Sequence, residues 1–266
     1  MKRKQTLISL AIILSIFPMY LSAQEEKKDP EYRKETEKDL QFRTGFEIEK
    51  KLSKHFSVAL SEELRLKDNI SEVDRIYSDL CIAYKATNWM KFSASYTFIS
   101  IDKEGRKKDN YKKYWDLRHR LTMGVALNYK TLSNWNFSLK ERVQTTFLTE
   151  KDLDRREKSN PIWCLKSKFS AEYKFRRIPI KPFVSLELCN TLNAPKLAGG
   201  DYLEKVRSSI GTEYRFDKHS SINLYYRFDY NINKKIDVKK SSGALKSFIE
   251  RTDYNHILSV SYKYKF

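Results

Sequence analysis

The stretch WDLRHRLTMGVALNY, Trp115 to Tyr129, sets two unlike faces against each other along one segment. Trp115, Leu117, Leu121, Met123, Val125, Leu127 and Tyr129 share one parity, and Asp116, Arg118, Arg120, Thr122 and Asn128 take the other. Apolar residues at every second position follow a β-strand, whose side chains alternate between two faces, and not the repeat of a helix.

The same texture extends in both directions. Towards the N-terminus it runs through Met90–Phe98, Ile76–Tyr84 and Phe56–Leu66, and more weakly through Leu40–Lys51, where Phe42, Thr44, Phe46 and Ile48 alternate with polar residues. Towards the C-terminus it recurs at Trp135–Phe147, Trp163–Phe175, Val184–Leu188, Val206–Phe216, Ile222–Ile232 and Tyr254–Phe266. Tilted segments of about 10 residues, apolar on one side and ionic on the other, are what a barrel solvated by hydrocarbon requires.

Composition narrows the alternatives. The 266 residues include 52 Lys plus Arg against 34 Asp plus Glu, a net charge of +18, with 14% aromatics and only 3 Cys. A mean hydropathy of −0.67 excludes a bundle of membrane helices, and 17 Tyr with 15 Phe are too much aromatic surface for a disordered chain. Lys2, Arg3 and Lys4, an apolar run from Leu7 to Leu21 and a small-residue site at Ala23 form a cleavable secretory signal over residues 1–23. Residues 24–39 read as a charged, flexible leader and 40–266 as the barrel. Cys81, Cys164 and Cys189 are odd in number, have no CxxC spacing, and are expected as separate strand residues.

A soluble sandwich shares the period of two, so the choice of a membrane barrel rests on further features. Short connections (53–55, 87–88, 131–134, 176–179, 217–220) alternate with longer ones (67–72, 102–113, 150–160, 190–201, 233–252). Trp89 and Trp135 fall at short turns and Trp115 and Trp163 beside long loops, as two interfacial girdles would place them. The chain closes on aromatic Phe266, which resembles the terminal signal read by outer-membrane assembly machinery. The expectation is therefore an all-β, membrane-spanning, antiparallel up-and-down barrel of about 10 to 12 strands, monomeric, in the bacterial outer membrane. Eleven segments can be counted where single-chain barrels normally use even numbers, so Leu40–Lys51 is either a partial edge or is joined by a twelfth strand from the leader. Glu62, Glu141 and His119 fall on the apolar parity, which suggests a bulge that turns them inward or a groove in the wall.

Several of these stretches carry a resemblance. FEIEKKLSKHFSVALSEELR (Phe46 to Arg65), Glu72-Val73-Asp74-Arg75, YWDLRHR (Tyr114 to Arg120), FSLKER (Phe137 to Arg142) and the ending SYKYKF (Ser261 to Phe266) resemble a Bacteroidota outer-membrane family, domain-of-unknown-function family 2490. The resemblance implies a Gram-negative barrel and brings no active site with it.

Parity sends Glu63, Arg65, Asp79, Asp116, Arg118, Arg120, Arg142, Glu187, Arg207, Arg215, Arg227 and Asp229 to the lumen, as it does Lys140, Lys166, Lys168 and Lys205. Excess cations there favour small anions, so the expected role is a narrow channel or binding protein for anionic solutes. The alternatives are a structural or surface-interaction barrel closed by its own ion pairs, or, at lower weight, a membrane hydrolase or acyltransferase built on Asp116, His119 and His256 with Asp253. No G-x-S-x-G, H-E-x-x-H or paired-histidine spacing is present, so no catalytic residue, metal or cofactor is expected. Arg106, Lys107, Lys108, Lys112, Lys113, Arg155 and Arg156 crowd the long loops, where an exported barrel meets lipopolysaccharide phosphates and outer-membrane lipid, not nucleic acid.

Overall fold

The computed structural model describes residues 31–104, 113–132, 134–148, 160–193, 203–238 and 245–266. Eleven strands follow one another: β1 (Glu31–Lys51), β2 (Phe56–Lys67), β3 (Glu72–Lys85), β4 (Met90–Glu104), β5 (Lys113–Lys130), β6 (Trp135–Phe147), β7 (Ile162–Tyr173), β8 (Ile180–Thr191), β9 (Leu203–Arg215), β10 (Ser220–Val238) and β11 (Leu245–Lys265). Each pairs antiparallel with its chain neighbours, and β1 meets β11 to close the barrel.

Eleven strands fall within the expected 10 to 12, and closure adds one parallel pair to an otherwise antiparallel wall. With an odd number of up-and-down strands, the first and last must point the same way, so β1 and β11 pair in parallel, from Glu31–Ser247 to Glu49–Lys265. Leu40–Lys51 is thus neither a partial edge nor one of twelve; it is the second half of a full wall strand. Opposite charges line the seam: Lys34 faces Glu250 at 3.8 Å, Lys263 faces Glu49 at 2.8 Å and also pairs with Glu47, and Arg251 pairs with Glu37.

The seam also moves two boundaries. Residues 31–39, whose unpatterned charges suggested a flexible leader, belong to β1. The connection expected over 233–252 is largely strand, since β10 runs to Val238 and β11 begins at Leu245. Crossing a bilayer takes about 9–11 residues, so the 21 residues of β1 and β11 and the 19 of β10 overreach it. They form a three-stranded tongue at the long-loop end, where period-two alternation fades because no hydrocarbon face selects it.

The short turns close in similar ways. Ser53 Oγ accepts from the backbone N–H of His55 and Phe56 at 3.2 and 3.0 Å, Thr87 Oγ1 from Trp89 and Met90 at 3.3 and 3.0 Å, and Asp217 Oδ1 from His219 and Ser220 at 2.6 and 2.7 Å. These side-chain caps are the reason for Ser, Thr and Asp at those positions. The two backbone donors hold the Asp217 carboxyl below the usual carboxylate range. At the same ends His55 and His219 donate from Nδ1 to the carbonyls of Lys85 and Lys265, at 2.8 and 2.6 Å.

Apolar residues face outward. Leu60, Leu80, Ile82, Leu121, Met123, Phe169, Leu186 and Ile210 are all exposed, an arrangement stable only against a hydrocarbon solvent. Aromatic rings in mutual contact edge the short-turn rim: Phe56–Tyr84, Trp135–Tyr173, Tyr214–Phe216 and Tyr264–Phe266, at 4.8–5.1 Å between centroids. Inside, Gly211 lies between Phe183 and Tyr225 in register, and their rings meet at 6.3 Å.

Two measurements check this architecture. In a background with Cys81, Cys164 and Cys189 replaced by serine, Thr36→Cys and Asn69→Cys will react with an impermeant maleimide from one side of the membrane, and Lys54→Cys and Lys218→Cys from the other; Thr36 labelling with Lys54 would overturn the parallel seam. A Cβ at Gly211 would lie 2.4 Å from the Leu224 carbonyl oxygen and 2.4 Å from Tyr225 Cβ, so Gly211→Val should destabilise the barrel by about 1–3 kcal/mol, read from the urea midpoint of the heat-modifiable folded band.

Candidate functional site in the lumen

The inward face is ionic, and its ion pairs join both neighbouring strands and strands one further apart. Arg142 on β6 pairs with Glu187 on β8; Glu187 Oε1 accepts from Arg207 on β9 at 2.6 Å; Arg207 Nε donates to Asp229 on β10 at 3.1 Å; and Arg43 on β1 reaches the same carboxylate at 3.8 Å. The Arg142 contact skips β7 and the Arg43 contact skips β11, so both reach over an intervening strand on the inner face. Asp229, Arg43 and Glu187 are 2%, 4% and 7% exposed, and buried charges of this kind persist only when paired. The belt thus braces the wall from β6 round to β1.

A second cluster fills the other side. Arg65 bonds Glu63 at 2.5 Å, donates to the Tyr77 hydroxyl at 3.2 Å and lies 4.1 Å over its ring. Arg120 approaches the same ring at 5.8 Å and donates to Thr146 at 2.9 Å. Buried Tyr77, Ile99 and Ile101 give this cluster an apolar floor. Above it Arg118 and Lys103 converge on Asp116, each at 2.7 Å, and Asp116 is 2% exposed. Asp79 accepts from Thr97 at 2.5 Å.

Register places like charges side by side. Arg43, Arg65 and Arg75 are directly opposite one another on β1, β2 and β3. Across β6 and β7, Lys140 faces Lys168 and Arg142 faces Lys166. Like charges directly opposite destabilise a sheet; Arg43, Arg65, Arg75 and Arg142 are offset by Asp229, Glu63, Asp74 and Glu187, and the lysines are not. Lys140, Lys166, Lys168 and Lys205 have no ion pair or hydrogen bond among the described residues.

Of the residues expected to face the lumen, Glu63, Arg65, Asp79, Asp116, Arg118, Arg120, Arg142, Glu187, Arg207, Arg227 and Asp229 lie in these networks, with Arg227 donating to Ser209 at 3.1 Å. Arg215 sits at the short-turn rim beside Glu213, at 2.6 Å and half exposed. Sequence reading missed Arg43 and Arg75. Arg43 lies on the polar parity of β1, a strand whose alternation is weak in the sequence; Arg75 shares the parity of Tyr77 and Asp79, which is a readable signal. Of the basic loop residues, Arg106, Lys107, Lys108, Lys112, Arg155 and Arg156 lie outside the described residues, and Lys113 opens β5.

The polar residues on the apolar parity stay outside, with no bulge to bring them in. Glu62 accepts from Ser78 at 2.8 Å and Glu141 from Ser167 at 2.6 Å, each from the residue directly across on the next strand. His119 and His256 take matching places: the Nδ1 of each is 2.7 Å from a Tyr hydroxyl, Tyr96 and Tyr226, with Phe98 and Phe228 beside the rings at 5.5 and 5.4 Å. Asp116 points inward while His119 and His256 point outward on well-separated strand pairs, so the structure does not bring those three together. Among the described residues no three His, Cys, Asp or Glu are grouped to hold a metal, and the three cysteines are free thiols.

Comparison with known proteins gives a family and some distant folds. Residues 40–239 match the family described as "Protein of unknown function (DUF2490)". No curated protein matches the sequence. Among solved structures, outer-membrane expressed OmpT of Vibrio cholerae aligns at 10% identity and a TM-score of 0.37 over 72% of this chain, which spans 59% of that one. The β domain of the Bordetella autotransporter BrkA aligns at 8% identity and 0.40, covering 66% of this chain and 78% of that one.

The belt gives a test of its own. Asp229→Ala leaves Arg43 and Arg207 in the interior without their shared carboxylate and should lower unfolding stability by about 3–5 kcal/mol, measured by urea titration in detergent. A change under ~1 kcal/mol would mean the belt does not brace the wall.

Proposed function

We propose that this chain, which belongs to the family described as Protein of unknown function (DUF2490), is an outer-membrane barrel whose cationic lumen binds or passes small anions. The observation that carries the reading is the placement of inward lysines without a carboxylate partner among the described residues, Lys140 against Lys168 and Lys166 against Arg142, with Lys205 in the same row as Lys166. A plug made only to hold shape would match each cation with a carboxylate, because an unmatched buried charge is a large penalty. An interior with surplus ammonium and guanidinium groups instead lowers the energy of an entering anion, as charged rings do in anion-selective pores.

The same reading sets the barrel in lipid by its apolar outer face and ring-lined rim. Its neighbours there are outer-membrane lipid and, for the basic loops, lipopolysaccharide phosphates, whose oxygens accept charge-assisted bonds. Phe266 closes the last strand as the contact for assembly machinery. A second reading, a closed structural barrel, is favoured by one specific feature: the Arg142–Glu187–Arg207–Asp229–Arg43 belt ties five strands together along the inner wall through paired charges.

Planar-bilayer recording of the refolded barrel under a salt gradient separates the two. Anion-selective current is expected, with the selectivity weakened by Lys140→Glu/Lys166→Glu. Cation selectivity would overturn the proposal, and a folded but silent barrel with no anion binding would leave the closed reading.

A further inference from the structure

The lumen cations divide into two kinds. The guanidiniums of Arg142, Arg207, Arg65 and Arg118 are held by carboxylates. Glu187 lies directly across from Lys168, but its oxygens accept from Arg142 at Oε2 and from Arg207 and the Cys189 thiol at Oε1, and it makes no bond to Lys168. The ammonium groups of Lys140, Lys166, Lys168 and Lys205 are therefore the charges left over.

Register gathers these four on one patch. Lys140 and Lys168 are partners across β6 and β7, Lys166 is two residues from Lys168 on the same face, and Lys205 follows Lys166 along one row with only Cys189 between them. With strands ~4.8 Å apart and ~7 Å between same-face residues, the stems of Lys140, Lys166 and Lys168 start within about 9 Å of one another and that of Lys205 about 10–16 Å from them, and flexible lysine side chains can lean towards an ion held between them. Arg142 Nε, beside Lys166, is buried with no partner. The next row of the lumen is hydroxylic, Ser138, Ser170, Ser185 and Ser209, with Ser138 and Ser170 2.7 Å apart.

We propose that Lys140, Lys166, Lys168 and Lys205 form a binding site for a compact oxyanion of the phosphate type carrying two or more negative charges. The inference rests on the anion-binding reading of the lumen and names the ligand class. Four ammonium groups left unmatched on one face are poorly neutralised by a single chloride. A multiply charged tetrahedral oxyanion bridges several of them at once, because each ammonium is a compact point charge with three rotatable donors and each anion oxygen accepts more than one bond. The spare Arg142 Nε and the serine hydroxyls supply further donors around it. The belt arginines set the shape of the site, and the lysines hold the ligand.

This assignment has a consequence that a structural role for the lysines does not share. Removing like-charge repulsion should stabilise the empty barrel, so a site kept for a ligand is one where neutral substitutions raise stability and abolish binding. The experiment is thermal unfolding of the refolded full barrel in detergent, with inorganic pyrophosphate against sodium chloride at matched ionic strength. For the native barrel, pyrophosphate is expected to raise the melting temperature in a saturable manner. Lys166→Gln/Lys168→Gln is expected to melt higher than the native barrel without ligand and to lose the pyrophosphate response at least tenfold in half-saturating concentration. A variant that melts lower, or that responds to pyrophosphate like the native barrel, overturns the site. Bilayer currents separate the two levels: an anion-selective barrel indifferent to pyrophosphate removes the lysine site alone, and a cation-selective one removes the anion reading with it.

Discussion

Closure is the constraint on which the rest of the molecule depends. A strand edge facing hydrocarbon leaves rows of N–H and C=O groups with no water to bond, so the sheet must return on itself. Here the return is made by parallel pairing between β1 and β11, and the ion pairs of Lys263 with Glu47 and Glu49, and of Arg251 with Glu37, match carboxylates of the first strand to basic groups on the last. The start of β1 and the end of β11 then lie at opposite rims. The tongue exists because the seam continues past the lipid, where Lys34–Glu250 and the stacked rings of Tyr32 and Phe248 at 5.7 Å still hold it.

Once the wall is closed, its two faces obey opposite rules. Outside, the apolar set selects hydrocarbon, and the polar exceptions each find a partner on the next strand: Ser78 for Glu62, Ser167 for Glu141, Tyr96 for His119 and Tyr226 for His256. The recurrence of the same solution, a hydroxyl beside a carboxylate or imidazole, reflects how few groups a lipid-facing side chain can reach. Inside, the low-dielectric wall makes every charge count, and rigid guanidiniums with their fixed forks of donors form the bracing belt. Lysines, with flexible stems and point charges, are the groups left without carboxylates.

The alternation at Trp115–Tyr129 was enough to assign faces because a strand has only two, and the hydrocarbon outside enforces the choice at each position. The inward set from Glu63 to Asp229 could be named residue by residue for that reason. The failures have physical causes as well. Beyond the lipid nothing selects an apolar parity, so residues 31–39 and much of 233–252 looked like leader and loop although they are strand. Arg43 was overlooked with the strand that carries it. Glu62 and Glu141 were expected to need a bulge, because the serines that satisfy them lie 16 and 26 residues away in the chain.

The sequence by itself determined the barrel class, the inward and outward faces, and the surplus of positive charge, since all three follow from local period and composition. Only the tertiary structure decided the strand number, the parallel seam and which cations are matched. Those depend on register between distant segments: Arg142 meets Glu187 45 residues on, and Lys263 meets Glu47 216 residues back. A period of two fixes which way each side chain points. It carries no information about which residue of another strand stands opposite, and that alignment is what separates a braced arginine from an unmatched lysine.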